Sequence, residues 1–542
     1  MRTIKMSNNI LSYTKLKQFF VENKVIMLFS VIYFLMMCTF ISKMHFIDEN
    51  DNFLGALMVA HGRDIYSHHI SQHMPFAYYI FAIPAYLFGV HTIVAFRISF
   101  YIIMIIIWNL MYYRYKHDFG KIIMILYPVL YIFSMAYYQW GYLASSDQLQ
   151  AQGLAILFFE FVLFIKDRNI TYKSSLFISL AILLSFGTCF VSIFPIFVIV
   201  LAVLYLELKD LMHNKVNILK WPIYFFKRYW KLVLFILTPF IILIVWYAAT
   251  KNLYNFYVGA YSVNRHLYSK YQPVGGNILK DVLTTFSLYS CFVRESFASL
   301  MVDGILSFKF IVLIGINITF FIFTFSREKN LTFFLVAFTL MLGIRGFLGF
   351  HTVGYLSVSF VMLCVILKEY FENIKSINIL YYAIASLIFL SLSVQFFEGF
   401  PNMLDIKEAI LNSDNIEENT PEFLIKKLTN PDEPIFVSTS DTEIFIKTNR
   451  LPIYTPSSPC PWMWEVNKSK DYNFLNNYKP KVMYFKDEYI GFSCKLKDYA
   501  PDFIEYVHEN YTLLSNEYPE LYVRKDFLNE AKEMLDKFRI SD

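Results

Sequence analysis

The stretch HFIDENDNFLGALMVAHGRDIYSHHISQHMPFAYYIFAIPAYLFG (45–89) follows an apolar run at about 25–41 and decides how the rest of the chain is organised. It opens on three acids, Asp48, Glu49 and Asp51, at the mouth of that run, passes through GRDIY and QHMP, and ends in an aromatic segment. The basic residues Arg2, Lys5, Lys15, Lys17 and Lys24 precede the run, and the segment after it, SKMHFIDEND, has no small-x-small cleavage pattern. A retained first span with a cytosolic N-terminus (1–24) is therefore expected, because basic flanks stay inside. That puts the loop over 44–92 on the outer face.

Composition agrees with a membrane chain. Of 542 residues, 56% are hydrophobic and only 17% charged, against roughly 45–50% and about 25% in soluble domains. The net charge of +5 is carried by cytosolic loops and indicates no nucleic-acid partner. Six cysteines show neither CxxC nor zinc spacing. Cys460 and Cys494 share the C-terminal segment and can pair if it faces an oxidising compartment.

Further spans are expected at about 93–112, 122–138, 149–165, two short ones within 175–206, then 232–249, 305–325, 331–347, 353–367 and 378–396. The basic loops RYKHDFGK (114–121), KDRNITYK (166–173), 207–231, SREK (326–329) and KEYFENIK (368–375) should all be cytosolic. Basic loops flank 175–206 on both sides, so that stretch must cross an even number of times, with Gly187 and Pro195 as the interruption. Broken helices at membrane depth tend to line cavities. The expectation is a polytopic α-helical membrane protein of about eleven spans over 25–397. Residues 76–90, with Pro84, and 284–302, with Arg294 and Glu295, suit helices lying on the outer surface. From 398 to 542 the chain turns polar, and IFVST (435–439), KVMYF (481–485) and ELYVRK (520–525) suggest strands with a helix over 441–449: an extracytoplasmic α/β domain.

Candidate chemistry collects at outer span ends. A carboxylate just outside the hydrocarbon, under a loop, can act as a general base; an acidic cluster can equally just terminate a helix. Asp147, in YLASSDQLQAQ (142–152), is a second acid, and a helix cap by its position. Arg97 lies inside a span and invites either a phosphate role or an ion pair with an acid such as Asp147. Arg345 and His351 flank the turn in LGIRGFLGFHTVGYL (342–356), and Arg265, His266, Lys270 and Lys280 make the outer loop 250–283 basic, a possible seat for an anionic headgroup or polymer. Asp48, Glu49 and Asp147 can also be drawn as ligands of a divalent cation, Mg2+ or Mn2+, or as partners of Arg97 or His73. Sugar transfer from a lipid phosphate suits such a set: the leaving group is already a stable anion, so one carboxylate base and fixed cations suffice, whereas glycoside hydrolysis needs a second carboxyl.

The order of these motifs resembles the bacterial GT-C glycosyltransferases, the superfamily of protein O-mannosyltransferases and lipid A aminoarabinose transferases. The matching residues are an acidic pair after span 1, G-x-D-I-Y, Q-H-x-P, an aromatic run with F-G, an Arg in span 2, S-x-D at span 4, a late R-x5-H turn and a closing LYVRK strand. The resemblance implies a polyprenyl-phosphate sugar donor and an inverting displacement at the outer face of a bacterial plasma membrane, with a cell-envelope glycan, lipid or protein as acceptor. It implies Asp48 as the base or its close partner, Glu49 as its neighbour in the motif and Asp147 as the second-loop acid. Arg345 and His351 would meet the donor phosphate, His73 would lie near the donor, and Gly62, Asp64 and Tyr66 would shape the loop before it. Asp51 is a departure that leaves open which carboxylate takes the proton. No WWD-like motif follows, which argues against transfer to Asn. The alternatives are a flippase or transporter of lipid-linked precursors, which should show internal repeats and midplane polar residues, and a glycan polymerase or ligase, which should lean on a large Arg-rich outer loop; here no repeat is visible, the ionisable residues cluster at outer span ends, and the loop 250–283 is only mildly basic.

Overall fold

The structure is a computed structural model that describes residues 13–43, 47–135, 142–214, 221–271, 283–291, 293–294, 308–344, 349–372, 403–411, 416–418, 420–491 and 493–540. Helices dominate the first two thirds: α1 (Tyr13–Cys38), α2 (Ile47–Ala60), α3 (Phe76–Phe88), α4 (Ile93–Tyr115), α5 (Lys121–Met135), α6 (Ser146–Asp167), α7 (Tyr172–Ser185), α8 (Ile193–His213) and α9 (Trp221–Ala249). After the short α10 (Leu253–Tyr257) and a π-helical segment (Val258–Leu267) come α11 (Phe308–Arg327), α12 (Lys329–Leu342), α13 (Val353–Glu372) and α14 (Met403–Leu411). Among the described residues, α4, α6, α9 and α8 with its leading turn are long and apolar enough to cross a bilayer, and the apolar parts of α1, α5, α7, α11 and α12 are shorter. Ten of the expected spans fall on helices; the last, 378–396, lies outside the described residues.

α6 is the central helix. Its buried positions run all round it, from Ser146 to Phe164, as expected of a helix enclosed on every side. It packs on α7, α13 and α4. The stretch 175–206 is indeed two helices, α7 and α8, separated by a turn over Phe190–Ser192. Gly187 allows the break: a Cβ there would lie 2.4 Å from Leu183 O and 2.7 Å from the Phe76 ring. Its carbonyl accepts from Phe76 N at 3.0 Å, which satisfies an amide at the start of α3. At 13 residues α3 is about 20 Å long, too short to cross the roughly 30 Å hydrocarbon. The second surface helix expected, 284–302, is helical over 283–291, and its remainder falls mostly outside the described residues.

The polar C-terminal part follows with α15 (Pro421–Leu428), β1 (Phe436–Val437), α16 (Glu443–Lys447), α17 (Pro461–Tyr478), β2 (Val482–Tyr484), β3 (Ile490–Gly491), β4 (Cys494–Lys495), α18 (Leu496–Tyr499), α19 (Pro501–Asn510), β5 (Tyr511–Leu513), β6 (Leu521–Arg524) and α20 (Leu528–Ile540). The sheet order is β1-β2-β6-β5, with β1 and β2 parallel and the other pairs antiparallel; β3 and β4 form a separate hairpin. Side chains alternate faces along a strand. Val482 and Tyr484 pack toward α15 and α20, while Met483 and Phe485 pack toward α17 and α19. Burial on both faces explains why these strands are continuous apolar runs in the sequence. Cys460 and Cys494 are both free thiols.

Candidate active site

Helical geometry divides the acidic cluster. Residues three apart share a face of a helix, so Asp48 and Asp51 lie together on α2, while Glu49 is turned about 100° away toward α4. Glu49 is wholly buried and meets Arg97 in a two-pronged pair, with Arg97 Nε 2.8 Å from Oε1 and Nη2 2.6 Å from Oε2. Arg97 Nη1 also donates to the carbonyls of Ile41 at 3.0 Å and Lys43 at 2.7 Å, and Ala144 N donates to Glu49 Oε1 at 3.0 Å. The guanidinium lies 5.4 Å from the Tyr142 ring centroid. Arg97 is thus paired with Glu49 and not with Asp147, and the pair fastens the end of α1, the start of α2 and the loop before α6. Charges this deeply buried persist only when paired and hydrogen-bonded.

The loop after α2 is folded around Asp51. Gly62 has φ +76° and ends the helix, its neighbour Arg63 donating to Met58 O at 2.9 Å. Asp64 O then accepts from His68 N at 3.1 Å. Tyr66 has φ +74°, a costly conformation for a residue with a Cβ. It is held by Tyr66 N donating to His69 O at 2.7 Å and by its hydroxyl donating to His73 O at 2.6 Å. The loop brings His69 Nε2 to 3.3 Å from Asp51 Oδ1, at ion-pair distance but off the line of a hydrogen bond. Tyr78 donates to Asp51 Oδ2 at 2.9 Å and shares a 2.7 Å hydrogen bond with Ser71, whose oxygen accepts from His73 N at 3.0 Å. Gly55 makes room: a Cβ would lie 2.4 Å from the Tyr78 ring and 3.0 Å from that of His69. Burial pushes the Asp51 carboxyl up, but the His69 and His73 imidazoles and the Tyr78 hydroxyl together hold it below the usual carboxylate range.

Asp147 stands buried in the first turn of α6, and His351 Nδ1 approaches its Oδ1 to 3.4 Å. Arg345 lies outside the described residues. The loop 250–283, expected as a basic outer patch, is over its described residues also a brace. Asn252 Nδ2 donates to Ile65 O at 2.6 Å, Asn264 Nδ2 to Gln72 O at 2.7 Å, and a Cβ on Gly259 would lie 2.5 Å from the Tyr66 ring. Lys270 pairs with Glu465 at 3.6 Å, Arg265 and His266 are exposed, and Lys280 is outside the described residues.

The C-terminal part roofs this site. Thr455 N donates to His68 O at 2.8 Å, and Ile70 N donates to Thr455 Oγ1 at 2.8 Å. Trp462 and Met463 pack with Val263 of the brace, and Tyr268 meets Trp462 edge-on. Burial, and after it the charges of Asp51 and Asp48, raises the pKa of the Cys460 thiol. Sequence reasoning missed His69, Asn252, Gly259, Asn264 and the roof, since each acts across a long sequence separation. Only the paired histidines at 68 and 69 offered a signal.

Beside the loop lies an apolar cavity of about 1,020 Å³ between α6, α7, α8 and α9, at the upper end of ligand-pocket sizes. Met74, Phe186, Ala260 and Tyr261 line the part next to the loop, and Glu160 and Tyr229 also border it. Of the residues drawn as ligands of a divalent cation, Glu49 is committed to Arg97, and among the described residues no three His, Cys, Asp or Glu side chains converge as a metal group.

The overall fold is shared with a crystal structure of ArnT from Cupriavidus metallidurans in the apo state, with a TM-score of 0.53 and 12% sequence identity over 93% of this chain and 98% of that one. No family model and no curated protein matches the chain. The likeness shows the fold alone: a helical membrane architecture with a C-terminal α/β part, as expected from the sequence.

Proposed function

We propose that this chain is a membrane glycosyltransferase that moves a sugar from a polyprenyl-phosphate donor to a cell-envelope glycan, lipid or protein acceptor at the outer face of the bacterial plasma membrane. One observation carries the reading: an apolar cavity of about 1,020 Å³ reaches Met74, one residue from His73, beside the loop that encloses the acidic face of α2. An apolar volume whose lining reaches Met74, next in sequence to His73, suits a lipid phosphate whose tail lies in the bilayer and whose sugar meets water-borne acceptors.

In this reading Asp48 takes the proton of the acceptor hydroxyl. The acceptor oxygen bonds to the sugar C1 from the side opposite the phosphate, the C1–O bond to phosphate breaks, and configuration inverts. The polyprenyl phosphate leaves as a stable anion, so no general acid is needed. His73, His351 and Arg345 stabilise its charge. Asp147 orients His351, Tyr66 fixes His73 through its carbonyl, and the Glu49–Arg97 pair holds the α2 terminus in place.

The test uses the purified full-length protein in detergent with a panel of synthetic polyprenyl-phosphate hexoses and amino-pentoses. Asp48→Asn is expected to reduce transfer by about a hundredfold or more while the protein still reaches the membrane. Transfer at the wild-type rate by that variant would remove Asp48 as the base.

A further inference from the structure

The apolar cavity is longer than a lipid of one leaflet needs. Its wall on α9 is a stripe at helical spacing that includes Phe225, Tyr229, Ile236, Phe240 and Ile244. From Phe225 to Ile244 the stripe covers about 29 Å at 1.5 Å per residue, close to the roughly 30 Å of a bilayer's hydrocarbon. Chains that end at the midplane cover about half of that, some 15 Å. α9 runs toward the loop after α2: its last residues lead to Asn252, which donates to Ile65 O, and its first lie at the opposite end. An occupant anchored beside Met74 therefore has to pass the midplane to fill the volume.

Two buried ion pairs border the far end. Glu160, about 21 Å along α6 from Ser146, lines the cavity and is 3% exposed. It accepts from Arg114 Nε at 2.8 Å and Nη2 at 3.1 Å, and from the Tyr115 hydroxyl at 3.1 Å. Tyr229, on the α9 side, donates to Glu207 Oε1 at 2.6 Å, and Arg228 Nη1 donates to Glu207 Oε2 at 3.0 Å. Both carboxylates are thus paired and hydrogen-bonded, as buried charge requires. A hydrocarbon chain pushed past them would have to part these pairs, and stranding one buried charge outweighs a few more dispersion contacts.

We propose that these pairs are a length stop: the cavity takes the donor's tail extended across the membrane, and Glu160–Arg114 with Glu207–Arg228 set the length of chain that it holds in full. The substrate class that follows is a sugar phosphate on one long, linear isoprenoid, neither on a short prenyl group nor on a pair of acyl chains. The inference rests on the reading of this cavity as the seat of the donor tail. In hydrocarbon a tail gains little merely by leaving the bilayer, so discrimination comes from packing: a chain that fills the cavity touches its wall throughout, and a shorter one leaves part of the wall without contacts.

The test measures kcat/KM of the full-length protein in detergent for one sugar on phosphates with a graded series of linear prenyl tails, from geranyl to chains longer than the cavity. Wild type is expected to gain on the order of tenfold or more between the shortest tail and one of about 29 Å, and nothing beyond that length. Ile236→Trp places an indole about halfway down the wall. It should leave the short donors as they are and abolish the gain from longer ones. Ile242→Trp, on the exposed side of α9 and outside the cavity, should behave like wild type. If Ile236→Trp does not fold, Val203→Trp on the α8 wall decides by the same criterion. A wild-type profile that is flat in tail length, or that still rises past the length of the cavity, overturns the proposal. So does a folded block variant that slows every donor equally or keeps the gain. Failure of the underlying reading looks different: no prenyl-phosphate sugar of any length would be a donor.

Discussion

Among the described residues, two carboxylates, Glu49 and Asp471, are completely withdrawn from water, and they are satisfied in opposite ways. Glu49, among the membrane helices, meets a guanidinium on both oxygens. Asp471, on α17 of the C-terminal part, is held by neutral donors: the Tyr454 hydroxyl at 2.7 Å, the Ser457 hydroxyl and amide at 3.0 Å, and the Ser458 amide at 3.2 Å. Its neighbour Lys470 turns instead to Asn255 at 3.5 Å. The first pair ties four chain segments together by charge. The second pins the 454–458 stretch, from which Thr455 reaches the loop after α2, by dipoles alone. A buried carboxylate next to a fixed cation keeps its charge, whereas one held by dipoles is left open to titration.

The largest expected effect breaks the first arrangement. Arg97→Ala strands the Glu49 charge and frees the carbonyls of Ile41 and Lys43, at a cost of about 3–5 kcal/mol. Thermal unfolding in detergent should show it, and the apolar double variant Glu49→Leu/Arg97→Met should recover most of the loss. An Arg97→Ala protein that melts like wild type would mean the pair is not what holds α1, α2 and α4 together.

Asp471 sharpens the comparison through pH. Burial lifts its carboxyl up to about 7, against the pull of the Tyr454 and Ser457 hydrogen bonds. A folded-state pKa above the unfolded value means that the folded form binds more protons between the two. The contribution to stability is therefore full below about pH 4, the unfolded carboxylate range, and is lost as pH rises through about 7. Trp462 and Trp464 lie on the same helix and report its unfolding by fluorescence. Stability of this domain should fall between pH 5 and pH 8, and Asp471→Asn should flatten that slope while costing about 1–3 kcal/mol, because an amide nitrogen now faces the Ser457 and Ser458 amides. An identical slope in the variant would place the titration elsewhere.

Much of this was legible in the sequence because hydrocarbon imposes strong rules. Apolar length marked the helices, and the basic loops on both sides of 175–206 required the break that Gly187 supplies. The strands at 436, 482 and 521 were visible as apolar runs, while β5 and the β3–β4 hairpin, short and half-polar, were not. The candidate site was legible as a set of residues but not as a set of pairs. Arg97 was expected opposite a phosphate or an acid, with Asp147, Asp48 and Glu49 all left open; the structure selects Glu49, because a step of one residue along α2 turns a side chain to a different neighbour. Tyr66, Asn252 and Asn264 shape the loop through backbone contacts, which leave no periodic or spacing signal.

The smallest effect tests whether the roof grips the site loop. Thr455 is buried, and its hydroxyl is the acceptor for Ile70 N at 2.8 Å, one residue after His69. Valine has the same shape without the acceptor, so Thr455→Val leaves the Ile70 amide unpaired and keeps the packing. The cost of one such neutral hydrogen bond is about 0.5–1.5 kcal/mol, too little to move the melting of a whole membrane domain. It should act locally, since small losses of this kind lower the free energy of local opening. Amide hydrogen exchange at Ile70 is then expected to speed up by about three- to tenfold, with exchange in α6 unchanged. If Ile70 exchanges at the wild-type rate, Asn264, Trp462 and the rest of the brace hold the loop without help from Thr455.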